Sequence, residues 1–79
     1  MMYESTDMGL CAALVTLGER MEGKEMDGRQ IIFSFEDSPR LRRMIEDYFQ
    51  DTLMVKANKY NAAIRSIKAQ ITQANRNTY

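Results

Sequence analysis

Residues 27–36 read DGRQIIFSFE, and this stretch decides the fold. Gln30 to Glu36 is rich in β-branched and aromatic residues, which favour a buried β-strand. The pair Asp27-Gly28 precedes it and predicts a two-residue hairpin turn, because both central positions of such a turn take a positive φ. On the other side of the turn, Glu19 to Asp27 is dominated by charge. We therefore predict a polar edge strand that turns into a buried strand.

Ahead of this hairpin the sequence predicts a short strand and an apolar helix. Tyr3 to Ser5 is long enough only for a very short strand. Ser5 or Thr6 can cap a helix that runs to about Leu17 and has almost no polar face. A helix that is apolar nearly all round is usually covered on most sides, so we place it at the centre of the core. Gly18 follows where a left-handed C-cap belongs.

Two helices follow the hairpin. Ser38-Pro39 predicts the start of the second helix at residue 39, because serine is a good N-cap and proline fits the first helical position. This helix runs to about residue 50. A narrow apolar stripe, here called the isoleucine seam, predicts a third helix over residues 57–73. The two apolar stripes consist of Leu41, Met44, Ile45, Tyr48 and Phe49 in the second helix, and of Tyr60, Ile64, Ile67 and Ile71 in the third.

The predicted fold is one small α+β domain spanning residues 1–79, with the element order β-α-β-β-α-(β)-α. The bracketed element is Leu53 to Val55, a short apolar run that could be a last strand. A small antiparallel or mixed sheet would be covered by helices, in the chain order of a ferredoxin-like split βαβ unit. The alternative is one hairpin covered on a single face by helices.

Four stretches between about Tyr3 and Ile71 carry a resemblance to a known family. They read YESTDMGLCAALVTLG, IIFSFEDS, LRRMIEDYFQ and KYNAAIRSIKAQI. Together they resemble the small bacterial family described as domain of unknown function 5659. The shared residues are mostly packing and capping residues. The resemblance therefore implies a compact cytosolic α+β domain and supplies no activity for any residue.

Composition excludes several kinds of site. A chain of 79 residues buries only about 63% of its open surface on folding, which leaves no room for a sizeable enclosed cavity. Histidine is absent and Cys11 is the single cysteine, so histidine-based catalysis, histidine-containing or four-cysteine zinc sites and an internal disulfide are excluded. We expect no enzymatic activity, no cofactor, no bound metal and no small-molecule substrate. One unpaired thiol and the lack of a leader or long apolar run predict a cytoplasmic protein without a membrane segment.

Charge is unevenly distributed although the net charge is zero. Residues 1–37 carry three basic and eight acidic side chains, whereas residues 38–79 carry eight and three, and no acid follows residue 51. A basic third helix could lie along a phosphate backbone and bind it in a weak, salt-dependent way. The alternative is that these cations are solvated or pair with the acidic half. The candidate nucleic-acid-binding residues are Arg40, Arg42, Arg43, Lys59, Arg65, Lys68 and Arg76.

Two further features bear on function. Phe33 and Phe35 share one face of the predicted third strand, where an RNA-recognition motif displays stacking aromatics, but core packing is the expected role in so small a domain. Met21 and Met26 lie on the polar edge strand, and exposed methionines form adaptable contact surfaces, as the isoleucine seam also could. Because a thin core gains from extra burial, we predict a non-enzymatic accessory domain that acts through protein contacts and self-associates as a homodimer. Weak nucleic-acid binding is the alternative.

Overall fold

The chain forms three strands and three helices. A computed structural model describes the backbone of residues 1–76 and the side chains of residues 1–75. The elements are β1 (Met2–Ser5), α1 (Met8–Thr16), β2 (Met21–Asp27), β3 (Gln30–Glu36), α2 (Pro39–Phe49) and α3 (Ala57–Arg76). The predicted α+β class is therefore confirmed.

The sheet has the strand order β1-β3-β2, and both neighbouring pairs are antiparallel. β1 and β2 are thus parallel to each other, with β3 between them and α1 as their connection, which is a split βαβ arrangement. Asp27 pairs with Gln30, so the hairpin turn is centred on Gly28 and Arg29 rather than on Asp27-Gly28. Of these two turn residues, only Gly28 has a positive φ, at 64°, which matches a type II′ turn with glycine first.

The core lies between one face of β3 and the helices. Ile31, Phe33 and Phe35 alternate along β3 and are buried, whereas the residues between them face outward and are more exposed. Leu10 to Leu14 in α1 is fully or almost fully buried, as expected for a helix with no polar face. The predicted core role of the two phenylalanines is confirmed, and their burial leaves no face on which a base could stack.

Asp7, rather than Ser5 or Thr6, caps the N-terminus of α1. Its Oδ1 accepts a hydrogen bond from the backbone N–H of Leu10 at 3.0 Å. Ser5 belongs to β1, and its Oγ accepts a bond from the N–H of Asp7 at 3.0 Å. Our prediction for this cap was wrong because the first strand extends to the residue that we had assigned to the helix. The cap of α2 is Ser38, as predicted, with Pro39 at its first turn.

Shortly after the end of both α1 and α2, one residue has the left-handed backbone conformation. Gly18, with a φ of 96°, follows the end of α1 as predicted. Asp51, with a φ of 62°, has the same position after α2. There the N–H of Thr52 bonds to the carbonyl of Asp47 at 2.9 Å, which completes a Schellman motif without glycine.

Leu53 to Val55 forms no strand, and among the described residues the sheet has three strands only. The predicted fourth strand was wrong. After the turn at Asp51, the chain runs beside the C-terminal half of α1, where Leu53 and Val55 line open hollows together with Ala13 and Leu17. α3 then begins at residue 57, and residues 53–55 connect α2 to α3 without joining the sheet.

Candidate interaction surface

Two of the seven predicted nucleic-acid-binding residues form ion pairs with acidic side chains from the N-terminal half. Arg40 forms an ion pair with Glu19 and donates to the carbonyl of Leu17 at 2.9 Å. Arg42 donates two hydrogen bonds to the carboxylate of Asp37, from Nε to Oδ1 at 2.8 Å and from Nη2 to Oδ2 at 2.7 Å. The hydrogen bonds from Arg42 hold the pKa of Asp37 below its ordinary value. These two arginines therefore link the first turns of α2 to residues that precede the helix.

The other predicted cations do not form one patch. The side chains of Arg43, Lys59, Arg65 and Lys68 are exposed and make no ion pair within residues 1–75, and the side chain of Arg76 lies outside the described residues. At 100° per residue, Arg65 and Lys68 share one flank of α3, whereas Lys59 lies about 180° from Lys68. The structure thus brings Arg65 and Lys68 together and separates Lys59 from them.

The methionines of β2 are not a free contact surface. Met21 pairs with Phe35 and Met26 with Ile31, and both methionines pack against the core. Their spacing of five would place them on opposite faces of a regular strand, but a bulge between Met21 and Gly23 inserts an extra residue and restores them to one face. Our prediction that these side chains are exposed was therefore wrong.

The isoleucine seam is not free either. Ile67 is buried, and Ile64, Ile71 and Tyr60 pack against the core. A hydrogen bond from the Tyr60 hydroxyl to the carbonyl of Gly9, at 3.2 Å, also joins α3 to α1. The seam thus attaches α3 to its own domain, and a partner could not reach it without unfolding that contact.

Two large exposed apolar side chains lie where α2 connects to α3, whereas Met1, Met2 and Val15 are exposed elsewhere. Phe49 is 65% exposed and Met54 is 83% exposed. Phe49 lies at the edge of the α2 stripe, about 80° from Leu41, so helix packing does not cover it. Its ring meets Tyr48 edge-on, with the ring centroids 5.3 Å apart. The position of Phe49 at the margin of the α2 stripe was the signal in the sequence that its side chain could lie at the surface.

Two open hollows flank this connection. The lysine hollow, of about 580 Å³, includes Leu17, Met54, Val55, Lys56 and Lys59. The tyrosine hollow, of about 390 Å³, includes Tyr48, Phe49, Asp51, Leu53, Val55 and Tyr60. Because Val55 lines both hollows, they form one continuous area. We call this area, made by Leu17, Phe49, Leu53, Met54 and Val55, the connector surface.

The floor of the tyrosine hollow is a close contact among the three helices. The Tyr48 and Tyr60 hydroxyls both approach Gly9 in α1, where a side chain would have little room. Burial, followed by the negative charge of Asp7, raises the pKa of Tyr48 above its ordinary value. Tyr48 is therefore a neutral packing group at physiological pH.

Cys11 is not a surface thiol. Its side chain is fully buried, and burial raises the pKa of the thiol to about 11. The predicted core position of this residue is confirmed. Among residues 1–75, no three cysteine or carboxylate side chains are grouped closely enough to hold a metal ion. Within the same range, none of the helices has the length and apolar character needed to span a membrane.

Comparison with known proteins gives a family but no activity. The family model described as Domain of unknown function (DUF5659) matches residues 1–73. No curated protein and no solved structure matches the chain. The matched range includes both hollows and every residue of the connector surface.

Proposed function

We propose a function for this chain, which belongs to the DUF5659 family: it is a small non-enzymatic interaction domain that pairs with a second copy of itself through the connector surface. The resemblance noted from the sequence is confirmed by the family match over residues 1–73. The observation that carries the proposal is the exposure of Phe49 and Met54 beside two open hollows. Large apolar side chains grouped in this way are typical of protein contact sites.

The surface area of the chain supports the same proposal. The accessible surface is 5601 Å², whereas scaling gives roughly 4,900 Å² for a folded monomer of this mass. A standard interface removes about 800 Å² from each partner. Pairing would therefore reduce the surface of each copy to about 4,800 Å², close to the value expected for a compact monomer of 9.2 kDa. A cytoplasmic location stays a prediction from the sequence.

Sedimentation velocity across a wide dilution series tests the proposal. We expect the wild-type chain to form a dimer that dissociates on dilution. Phe49→Ser and Met54→Ser should each weaken the dimer by tenfold or more, because truncating an interface hot spot costs about 2 kcal/mol or more. Val15→Thr is the matched control, since Val15 is exposed but lines neither hollow.

Two results would contradict the proposal. One is a wild-type chain that sediments as a monomer at every concentration. The other is a dimer whose affinity is unchanged in both the Phe49→Ser and Met54→Ser variants. Because both side chains are mostly exposed, circular dichroism should show that the variants keep the wild-type fold, so a loss of pairing would not reflect unfolding.

Weak nucleic-acid binding is the second candidate function. The observation that favours it is the exposed flank of α3 that carries Arg65 and Lys68, where no carboxylate within residues 1–75 neutralises either cation. A site with so few phosphate contacts would bind weakly and lose affinity steeply as salt rises. Arg40 and Arg42 would contribute less, since their charges are already paired.

Fluorescence anisotropy with labelled single- and double-stranded DNA and RNA at two salt concentrations tests this candidate. We expect binding at low salt that is lost when Arg65 and Lys68 are changed to Glu. Charge reversal at Glu22, an exposed acid in β2, provides a control outside α3. Absence of binding at low salt, or binding that survives both substitutions, would exclude the α3 flank as a phosphate site.

A further inference from the structure

We infer that the two copies are related by a two-fold axis near Val55, so that the lysine hollow of each copy receives Phe49 of the other and faces its Asp51. This inference rests on the proposed function and specifies its partner and arrangement. It follows from the shape of the connector surface and from its charge pattern, which are independent of each other.

The shape of the surface suits pairing with itself. Phe49 projects on the side of the tyrosine hollow, while the lysine hollow on the other side of Val55 is open and has Leu17 in its wall. In a two-fold interface, a residue i that contacts residue j of the partner is matched by j contacting i. An axis near Val55 therefore places a projecting ring opposite an apolar hollow twice in the same interface.

The charges on the two sides are opposite. The lysine hollow carries Lys56 and Lys59, and the tyrosine hollow carries Asp51. None of these three side chains forms an ion pair within the part of the chain that the structure describes. A two-fold axis near Val55 brings the lysines of each copy toward the aspartate of the other. Contact between two lysine hollows, or between two tyrosine hollows, would instead place like charges together.

A charge exchange between two variants tests this arrangement. In the acidic variant, Lys56→Glu and Lys59→Glu, each modified hollow would face Asp51 of its partner. In the basic variant, Asp51→Lys, the new cation would face two lysines. We expect each variant alone to form a homodimer at least tenfold weaker than wild type, because two symmetric attractions become repulsions. Mixing the two variants should restore an affinity within about threefold of wild type, because both sides of the mixed pair attract.

Two further variants make the test specific. Asp51 has a positive φ, at which lysine is strained, so Asp51→Asn serves as a neutral substitute that tolerates this conformation. It should weaken the homodimer and reduce the salt dependence of its Kd. Arg29→Glu is the control charge reversal, because Arg29 is exposed in the hairpin turn and lines neither hollow, and it should leave the Kd unchanged.

The outcomes separate the arrangement from the proposed function. Restored pairing in the mixture, together with an unchanged Kd for Arg29→Glu, supports the two-fold arrangement. If Phe49→Ser abolishes pairing but the mixed variants pair no better than each alone, the connector surface is the interface and the two-fold arrangement is rejected. If the wild-type chain is monomeric throughout, both proposals are rejected. Circular dichroism of each variant confirms that the comparison is made between folded chains.

Discussion

Replacement of Gly9 by alanine tests how closely the three helices meet. A Cβ atom built on Gly9 would lie 2.5 Å from the Tyr48 hydroxyl and 3.4 Å from the Tyr60 hydroxyl. Heavy atoms pack best at about 3.5–4.0 Å, so the first contact forces Tyr48 to move. We expect Gly9→Ala to destabilise the wild-type protein, although alanine is normally the better helix residue.

The magnitude follows from two opposing effects. Replacing glycine by alanine within a helix stabilises it by up to about 1 kcal/mol. Overpacking a close contact costs about 1–3 kcal/mol, so the net loss for Gly9→Ala should be about 0–2 kcal/mol. Among the described residues, the Tyr48 hydroxyl has no hydrogen-bond partner, whereas the Tyr60 hydroxyl donates to the carbonyl of Gly9. Tyr48→Phe should therefore change the free energy of unfolding by no more than about 0.5 kcal/mol.

The two substitutions together should behave differently from either alone. Tyr48→Phe removes the atom that a new methyl group would strike. In that background Gly9→Ala should stabilise the protein by up to about 1 kcal/mol, which gives a coupling energy of about 1–3 kcal/mol. Urea unfolding of the four proteins, followed by circular dichroism at a low protein concentration, measures this coupling. Tyr60→Phe is the comparison background, because its hydroxyl lies farther from the new methyl group.

Either of two results would refute this reasoning. If Gly9→Ala costs the same with Tyr48 or Phe at position 48, the Tyr48 hydroxyl is not the limiting contact. If Gly9→Ala stabilises the protein that retains Tyr48, the tyrosine moves aside freely and the close approach at Gly9 does not restrict helix packing.

Three other predictions concern the core, the acid range and the thiol. Phe33→Ala should cost about 3–5 kcal/mol and leave so small a domain largely unfolded, as measured by thermal melting in circular dichroism. The pairing with Arg42 lowers the pKa of Asp37 in the folded state. Its contribution to stability is therefore present above the ordinary pKa of 3.8 and is lost as pH falls through the lower folded-state value. An NMR titration of Asp37 should show a midpoint below 3.8 that returns toward 3.8 in Arg42→Gln. Cys11 should resist thiol reagents at pH 8 until the chain unfolds, and rapid labelling of the folded protein would contradict this expectation. Because burial raises the pKa of Cys11 from 9.0 to about 11, the free energy of unfolding should decline as pH rises from 9 to 11.

Local features of the fold could be read from the sequence where one short stretch carries the whole signal. The β3 strand has the predicted bounds because β-branched and aromatic residues run without interruption from Gln30 to Glu36. The Ser38-Pro39 start of α2 also depends only on adjacent residues. The cap of α1 was displaced because Ser5, Thr6 and Asp7 are all good caps, and only the length of β1 selects among them.

The candidate site was less predictable, because a side chain's exposure depends on what packs against it from elsewhere in the chain. The sequence left open whether Arg40 and Arg42 bind phosphate or pair with the acidic half, and the fold decides for pairing because it brings Glu19 and Asp37 to them. Met21 and Met26 looked exposed between charged neighbours. Met26 packs against the core because it pairs with Ile31, and the bulge between Met21 and Gly23 turns Met21 to the same face.

The sequence by itself determined the class of the fold, the hairpin, the apolar centre in α1 and the chemistry that the chain lacks. These properties follow from composition and from periodicities of two and 3.6 residues, which act over a few neighbours. Only the tertiary structure decided that Leu53 to Val55 lies beside α1, that the isoleucine seam is covered, and that Phe49 and Met54 remain uncovered. The reason is that burial is a property of pairs of surfaces, and a sequence pattern shows which face is apolar without showing what will cover it.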